Sequence, residues 1–97
     1  MKAIKKIEIV TGSLDAKKVI NLLDEKGIKG YTIIKNVMGN GDKGYQDGDG
    51  LHEAFQNKYI MVACSEEELE KLVEPLRAIL KKSGGICLVS DAQWLVH

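Results

Sequence analysis

The sequence predicts an α+β domain of the ferredoxin-like type, a βαββαβ sandwich. Four segments are rich in β-branched and apolar residues, as strands are. Two other segments repeat apolar residues at helical spacing. Their order along the chain is that of the split βαβ motif, in which two helices cover one face of a four-stranded antiparallel sheet. The 97 residues suffice for a single domain, predicted over 1–97.

The first half of the chain supplies a strand, a helix and a second strand. Residues 5–11 alternate at period two and predict the first strand. Ser13 is expected to cap a helix over 14–26, and Gly27 to end it. Residues 30–37 carry β-branched and aromatic side chains and predict the second strand.

The second half supplies a strand, a longer helix and a last strand. Residues 58–64 are apolar almost throughout and predict the third strand. Ser65 with Glu68 three residues later forms a capping box that opens the second helix. Pro75 lies inside this helix and is expected to kink it. The fourth strand and a short tail follow over 86–96.

The last two strands are apolar on both faces. An antiparallel sheet with one solvated face normally alternates apolar and polar residues. Helices can cover only one face here, so the other is expected to be buried by further copies of the chain, as a homo-oligomer. In the third strand the two faces are Ile60, Val62 and Cys64 against Tyr59, Met61 and Ala63.

Composition excludes several classes of protein. The net charge is zero and Arg77 is the single arginine, which argues against a nucleic-acid-binding protein. No apolar run approaches the ~20 residues of a membrane span, and residues 1–10 do not resemble a signal peptide. Cys64 and Cys87 lie in apolar strands and are expected to be buried free thiols, which points to the cytoplasm.

Neither metal binding nor catalysis has a strong signature. The "DGDG" of residues 47–50 departs from a calcium loop because Leu51 and Lys58 occupy ligand positions. His52 and His97 are too few and too far apart to indicate a zinc site. No nucleophile elbow or carboxylate pair is present. The turn after the first strand lacks the arginine of acylphosphatases, and the sheet lacks the exposed aromatic residues of RNA-binding RRM domains.

Two glycine segments could hold an anion. Gly39 and Gly41 follow the second strand, with Lys43 nearby, and the pair Gly84–Gly85 follows the second helix beside Lys81–Lys82. Backbone N–H groups of glycine loops can turn toward an anion, and lysine adds a positive charge. A flexible loop and a helix C-cap explain the same residues equally well. A composite anion site between subunits is the functional alternative.

The stretch from Gly27 to Gly44 resembles the PII signalling proteins, and the order of elements extends the resemblance over almost the whole chain. These proteins carry G-I-x-G-[MYL]-T at a strand entry, then V-x-G-x-G before a loop called the T-loop. The ending "GGICLVSDAQW" is most similar to the compact, carboxysome-associated branch. The matching residues are Gly27, Ile28, Gly30, Tyr31, Thr32, Val37, Gly39 and Gly41.

The resemblance implies a homotrimer that binds adenine nucleotides in clefts between subunits. It implies a mobile T-loop over 39–57 and a phosphate-binding B-loop over 83–85. The nucleotide-binding residues would be Thr32 and Val62 at the adenine, Gly39, Asn40, Gly41 and Lys43 at the base of the T-loop, and Gly84 and Gly85 at the phosphates.

The chain departs from the family pattern at several cations. Ile86 replaces a lysine after the B-loop, His97 falls where an arginine is expected, and Asp42 follows the second T-loop glycine. With less positive charge for a triphosphate, ADP or AMP is expected to bind at least as well as ATP. Lys43 stands where a magnesium-coordinating glutamine supports 2-oxoglutarate sensing, and Tyr45 lies too early to match the uridylylated tyrosine. Neither property is carried over.

The expected function is therefore that of a non-enzymatic sensor without a resident metal or cofactor. Nucleotide would order the T-loop, which would dock on a partner such as a membrane transporter. Relatives of the carboxysome type add a link to bicarbonate and inorganic-carbon uptake. The alternative is a trimeric divalent-metal-binding protein of the CutA type, which shares the fold.

Overall fold

The computed structural model describes residues 1–41, 44–46 and 57–97. The described elements confirm the βαββαβ order and add a short hairpin, β3–β4, which the glycine-rich sequence did not predict. In chain order they are β1 (Lys2–Gly12), α1 (Ser13–Glu25), β2 (Tyr31–Val37), β3 (Gly39–Gly41), β4 (Gly44–Gln46), β5 (Asn57–Cys64), α2 (Glu66–Ser83) and β6 (Ile86–Trp94).

The main sheet has the strand order β2-β5-β1-β6, and every neighbouring pair is antiparallel. The long central strand β1 pairs with β5 on one side and with β6 on the other. Ile7, for example, lies opposite Val62 and Val89. This is the ferredoxin-like arrangement that the element order predicted. The strands β2 and β6 form the two edges of the sheet within the described chain.

The hydrophobic core lies between the sheet and the two helices. The even residues of β5 and the odd residues of β1 point into it, as the period of two in their sequences requires. Both helices contribute one apolar face, at helical spacing. The buried core residues are Ile7, Ile9, Ala16, Val19, Leu22, Leu23, Ile28, Ile60, Val62, Cys64, Leu72, Leu76 and Leu80.

The start of α1 differs by one residue from the prediction. Helical residues begin at Ser13, and the N-cap is Gly12, whose extended backbone carries no side chain to accept a hydrogen bond. Ser13 is therefore the first helical residue rather than the cap. At the other end, Gly27 follows the helix with a φ of 74°. Glycine adopts this left-handed conformation readily, which explains why the helix ends there.

The helix α2 begins as predicted. The Ser65 side chain accepts a hydrogen bond from the Glu68 backbone N–H at 3.1 Å, and the Glu68 carboxylate accepts one from the Ser65 N–H at 2.9 Å. Pro75 lies inside the helix, and Gly84 ends it with a φ of 76°. Neither helix in the described ranges is long and apolar enough to cross a membrane.

The face of the sheet that the helices leave uncovered is named here the open face. Two rows of side chains cross it from β2 to β6. One row is Ile34, Tyr59, Val10 and Ile86, and the other is Thr32, Met61, Glu8 and Leu88. Ile34, Ile86 and Leu88 are between 52% and 61% exposed. The second apolar face predicted from the sequence is therefore present.

The edge strand β6 is exposed on both of its faces. Ile86 and Leu88 point to the open face, while Cys87 and Val89 point to the helix side and are also exposed. Helix α2 leaves a groove of about 470 Å³ beside them. Cys64 is buried, as predicted, but the expectation of a buried Cys87 is wrong because α2 does not cover β6.

Candidate functional site

The two glycine segments singled out in the sequence lie at the same end of the sheet, which we call the glycine end. Here β2 ends at Val37, opposite Asn57 at the start of β5. Asn57 in turn lies opposite Gly12, where β1 ends, and the neighbouring Val10 lies opposite Ile86 at the start of β6. The antiparallel topology thus gathers the start of β3 and the α2–β6 junction at one end.

The segment Gly39–Gly41 forms the first strand of the β3–β4 hairpin. Gly39 is exposed, and a Cβ placed there would meet nothing within 4 Å. Gly39 therefore leaves space beside its backbone, as a ligand-binding glycine must. Of the other residues predicted here, Asn40 is described only as part of the β3 backbone, opposite Tyr45. Lys43, and with it Asp42 and residues 47–56, lies outside the described residues.

The pair Gly84–Gly85 joins α2 to β6, and its two members have different structural reasons to be glycine. Gly84 has the left-handed φ and donates its N–H to the Leu80 carbonyl oxygen at 3.0 Å, which closes the helix. Gly85 packs against β1, where a Cβ would come within 2.8 Å of the Thr11 hydroxyl oxygen. Gly84 itself is exposed and remains available to a ligand.

Positive charge lies next to this pair. Lys81 and Lys82 occupy the last turn of α2, and both are exposed. Their ammonium groups also complement the partial negative charge at the helix C-terminus. Arg77, one turn earlier, is ion-paired with Glu74 at 2.8 Å. The two lysines are therefore the cations of the described chain that best suit an anion beside Gly84.

The two residues predicted to contact adenine lie on opposite faces of the sheet. Thr32 is exposed on the open face, in register with Met61. Val62 is 0% exposed in the core beneath the helices. A ligand cannot reach Val62, so that part of the prediction is corrected. The neighbouring Ala63 lies on the open face, as the alternation of β5 already indicated. Ala63 is therefore better placed than Val62 to contact a ligand on that face.

The two glycine segments are not close together within one chain. They lie on opposite edges of the sheet, and β5 and β1 separate the end of β2 from the start of β6. Three interstrand spacings of about 4.8 Å place them roughly 14 Å apart. One chain therefore holds two halves of a candidate site rather than a complete cleft.

The open face carries one polar cluster at its centre. The Tyr59 hydroxyl donates a hydrogen bond of 2.7 Å to the Glu8 carboxylate, and the Lys6 ammonium lies 3.6 Å from the other carboxylate oxygen. The hydrogen bond to Glu8 raises the pKa of Tyr59 above its usual value. Both oxygens of Glu8 thus have partners within the chain, on a face that is otherwise largely apolar.

Metal ligands do not cluster in the part of the chain that the structure describes, where no three His, Cys, Asp or Glu side chains could hold an ion together. The His97 ring packs edge-on against Trp94, with the ring centroids 4.4 Å apart. His52 lies outside the described residues. Zinc sites draw on three or four such ligands.

Comparison with known proteins bears on both fold and ligand. The model of the family "Nitrogen regulatory protein P-II" matches residues 4–96. The structure is similar to that of CPII, a nitrogen regulatory PII-like protein of Thiomonas intermedia K12 bound to ADP, AMP and bicarbonate. The TM-score is 0.87 and the sequences are 31% identical, over 95% of this chain and 88% of CPII.

Two further proteins are more distant. A PII-like signalling protein of Thermus thermophilus is similar with a TM-score of 0.74 and 26% identity, over 96% of this chain and 90% of that one. The UPF0166 protein MJ1524 of Methanocaldococcus jannaschii is 26% identical over 82 residues, which are 82% of this chain and 74% of that protein.

Proposed function

Since the chain belongs to the nitrogen regulatory protein P-II family, we propose that it is a non-enzymatic signalling protein of the cytoplasm that binds adenine nucleotides between the subunits of a homotrimer. Proteins of the P-II family are signalling proteins. The similar protein CPII has been solved with ADP, AMP and bicarbonate bound. The observation that carries the proposal for this chain is the position of the two glycine segments, at one end of the sheet but on opposite edges.

A second copy can bring the two halves together. In the antiparallel sheet, β2 runs toward the glycine end and β6 runs away from it. If β2 of one copy lies alongside β6 of the next in the same orientation, the strands are antiparallel. Gly39–Gly41 of one copy then lies beside Gly84–Gly85 of its neighbour. Such a contact joins two different surfaces, which is incompatible with a two-fold dimer and compatible with a closed ring.

The exposed apolar residues favour the same assembly. An exposed, apolar edge strand such as β6 tends to pair with another chain unless it is covered. Ile86 and Leu88 on its open face, and Val89 on its helix side, are each more than half exposed. In a ring of three copies the open faces turn toward one another. The two rows that cross them, which are apolar except for Thr32 and the Tyr59–Glu8 pair, are then buried.

The preference among adenine nucleotides is proposed from the charges beside the two glycine segments of the candidate site. Lys81 and Lys82 lie beside Gly84, whereas Ile86 contributes no charge. Each charge-assisted contact to a phosphate contributes about 1.5–3 kcal/mol, so a site with few cations gains little from a third phosphate. ADP and AMP are therefore the preferred ligands, and ATP binds no more tightly. Bicarbonate is proposed as a second ligand on the likeness to CPII alone.

Signalling is proposed to run through residues 39–57. The base of this segment, Gly39–Gly41, forms one half of the nucleotide site. A nucleotide that prefers one arrangement of the segment shifts its population, and a partner protein reads the result. A membrane transporter for inorganic carbon is the partner class that the likeness to bicarbonate-bound CPII favours.

Ligand titration of the purified protein tests the proposal. Light scattering after size exclusion is expected to give a trimer. Calorimetry is expected to show ADP and AMP binding, with ATP no tighter. A ligand at a hundred times its dissociation constant stabilises by about 2.7 kcal/mol, which a melting curve detects. The CutA-type alternative would be favoured by a different result. Divalent metals would then stabilise the protein, His97→Ala or His52→Ala would abolish that stabilisation, and nucleotides would have no effect.

A matched pair of variants separates the site from backbone strain. Gly84 and Gly27 both follow a helix with left-handed φ, 76° and 74°. Gly84→Asp adds a negative charge at the glycine end, whereas Gly27→Asp makes the same change near the other end of the sheet, beside the start of β2. Only Gly84→Asp is expected to abolish ADP binding. Equal loss in both variants would assign the effect to strain and count against the site.

A further inference from the structure

The strand β2 contains an irregularity just before the glycine segment. Lys35 lies opposite Lys58 and Val37 lies opposite Asn57, so one extra residue, Asn36, occupies β2 between the two pairs. Asn36 has a φ of 60°, and it is the one non-glycine residue in the described chain with positive φ. An inserted residue with left-handed backbone is the signature of a G1-type β-bulge, in which that position is usually glycine.

The bulge changes the face on which β2 presents its side chains. Before it, Tyr31 and Ile33 pair with Val62 and Ile60 on the helix side, and Thr32 pairs with Met61 on the open face. With strict alternation Val37 would share the helix side with Tyr31 and Ile33. Its partner is Asn57, however, which shares the open face with Tyr59 and Met61 by the alternation of β5. One inserted residue reverses the facing of all that follow.

We infer that Asn36 is a positioning residue for the nucleotide site. Its bulge makes the segment Gly39–Gly41 continue from β2 on the open face, which is the face that carries Thr32. Without the bulge, the glycine segment would continue from β2 on the helix side of the sheet. Thr32 would then lie on the opposite face, the open face. The inference rests on the proposed function, because it joins two of the residues proposed to contact the same ligand. Bulges beside binding sites commonly re-aim a segment in this way.

The role of Asn36 is conformational. Its side chain is exposed. Asparagine and glycine tolerate left-handed φ, alanine does so at a cost, and a β-branched residue is a genuine outlier there. The inference therefore predicts an order of ADP affinity at position 36 that follows this tolerance rather than the polarity or size of the side chain.

A substitution series tests this order. Asn36→Gly is expected to bind ADP within about twofold of the wild type. Asn36→Ala is expected to bind at least about fivefold more weakly, and Asn36→Val more weakly still, since the left-handed conformation costs an L-residue about 1–2 kcal/mol. NMR spectra of the ligand-free variants report the register through the contact between Val37 and Asn57. Gly27→Val, strained in the same way at the end of α1, is expected to keep its ADP affinity.

The outcomes are distinguishable. Suppose that the wild type binds ADP. If Asn36→Ala then binds equally well, or if Asn36→Gly loses as much affinity as Asn36→Ala, the bulge does not position the site. The inference then fails, while the proposed function stands. If Asn36→Val does not fold, the Gly and Ala variants still decide. If the wild type binds no adenine nucleotide, the proposed function fails and takes the inference with it.

Discussion

Gly85 and Thr11 pack so closely that no side chain fits between them. A Cβ at position 85 would lie 2.8 Å from the Thr11 hydroxyl oxygen and 2.9 Å from the Val10 carbonyl oxygen. Both contacts are shorter than real Cβ atoms show, and one involves backbone that cannot turn aside. The second glycine of the α2–β6 junction is thus required by the packing of β6 on β1, whatever it does for a ligand.

Replacing Gly85 by alanine is expected to destabilise the fold. Overpacking of this kind costs about 1–3 kcal/mol because backbone must shift. Urea unfolding would measure the loss, with Gly39→Ala as the control, since a Cβ at Gly39 meets nothing within 4 Å. A Gly85→Ala variant as stable as the control would show that the contact relaxes freely.

A serine at position 12 is expected to stabilise the protein. Gly12 is the N-cap of α1, with φ −67° and ψ 161°, a backbone that any residue adopts, and it offers no side chain to the helix. A Cβ there meets nothing within 4 Å. Gly12→Ser adds a capping oxygen and reduces the freedom of the unfolded chain, for a gain of about 0.5–1 kcal/mol. Gly12→Ala restricts the unfolded chain in the same way but cannot cap, so it is the control and should be less stable than Gly12→Ser.

The hydrogen bond from Tyr59 to Glu8 predicts a pH dependence at high pH. Folding raises the pKa of Tyr59, chiefly through this bond. The bond therefore stabilises fully below pH ~10, the pKa of an unfolded tyrosine, and its contribution is lost as the pH rises through the raised value. Urea unfolding should show wild type more stable than Tyr59→Phe at pH 8, with the difference shrinking above pH 10. A constant difference would contradict the assignment.

A charge on the open face is expected to break the assembly without unfolding the chain. Leu88 is 61% exposed on this face. Leu88→Asp places a carboxylate in the proposed interface, where burial of an unpaired charge costs several kcal/mol. Sedimentation should show a lower oligomeric state with unchanged secondary structure. Leu14→Asp, at a residue of α1 exposed to a similar degree, is the matched control and should leave the assembly intact.

Local sequence patterns predicted much of the fold, because they depend on neighbouring residues alone. The capping box at Ser65 and the glycine stop at Gly84 were found in place. The alternation of β5 separated its buried from its open-face residues correctly, and it contradicted the choice of Val62 as a ligand contact. The role of Val62 was inferred from the resemblance to PII proteins, although the two-residue alternation of β5 already placed this side chain in the core.

The remaining differences depend on contacts that are remote in sequence. The exposure of Cys87 follows from where α2 crosses the sheet, and no pattern near residue 87 encodes that position. The bulge at Asn36 becomes visible only when the register against β5 is known. The hairpin of β3 and β4 consists of three-residue strands rich in glycine, which lack the β-branched residues that signal a strand.

The shared site is tested most directly by mixing two defective chains. Gly39→Asp and Gly84→Asp each damage one half, and each pure variant is expected to lose ADP binding. In mixed trimers, neighbouring copies can contribute one intact half each. Random 1:1 mixing should restore about a quarter of the wild-type sites, measured as the calorimetric stoichiometry. In a ring of heterologous contacts each site needs an intact half from each of two neighbours, and each half is intact with a chance of about one half. No recovery from well-mixed trimers would contradict a site built from two subunits.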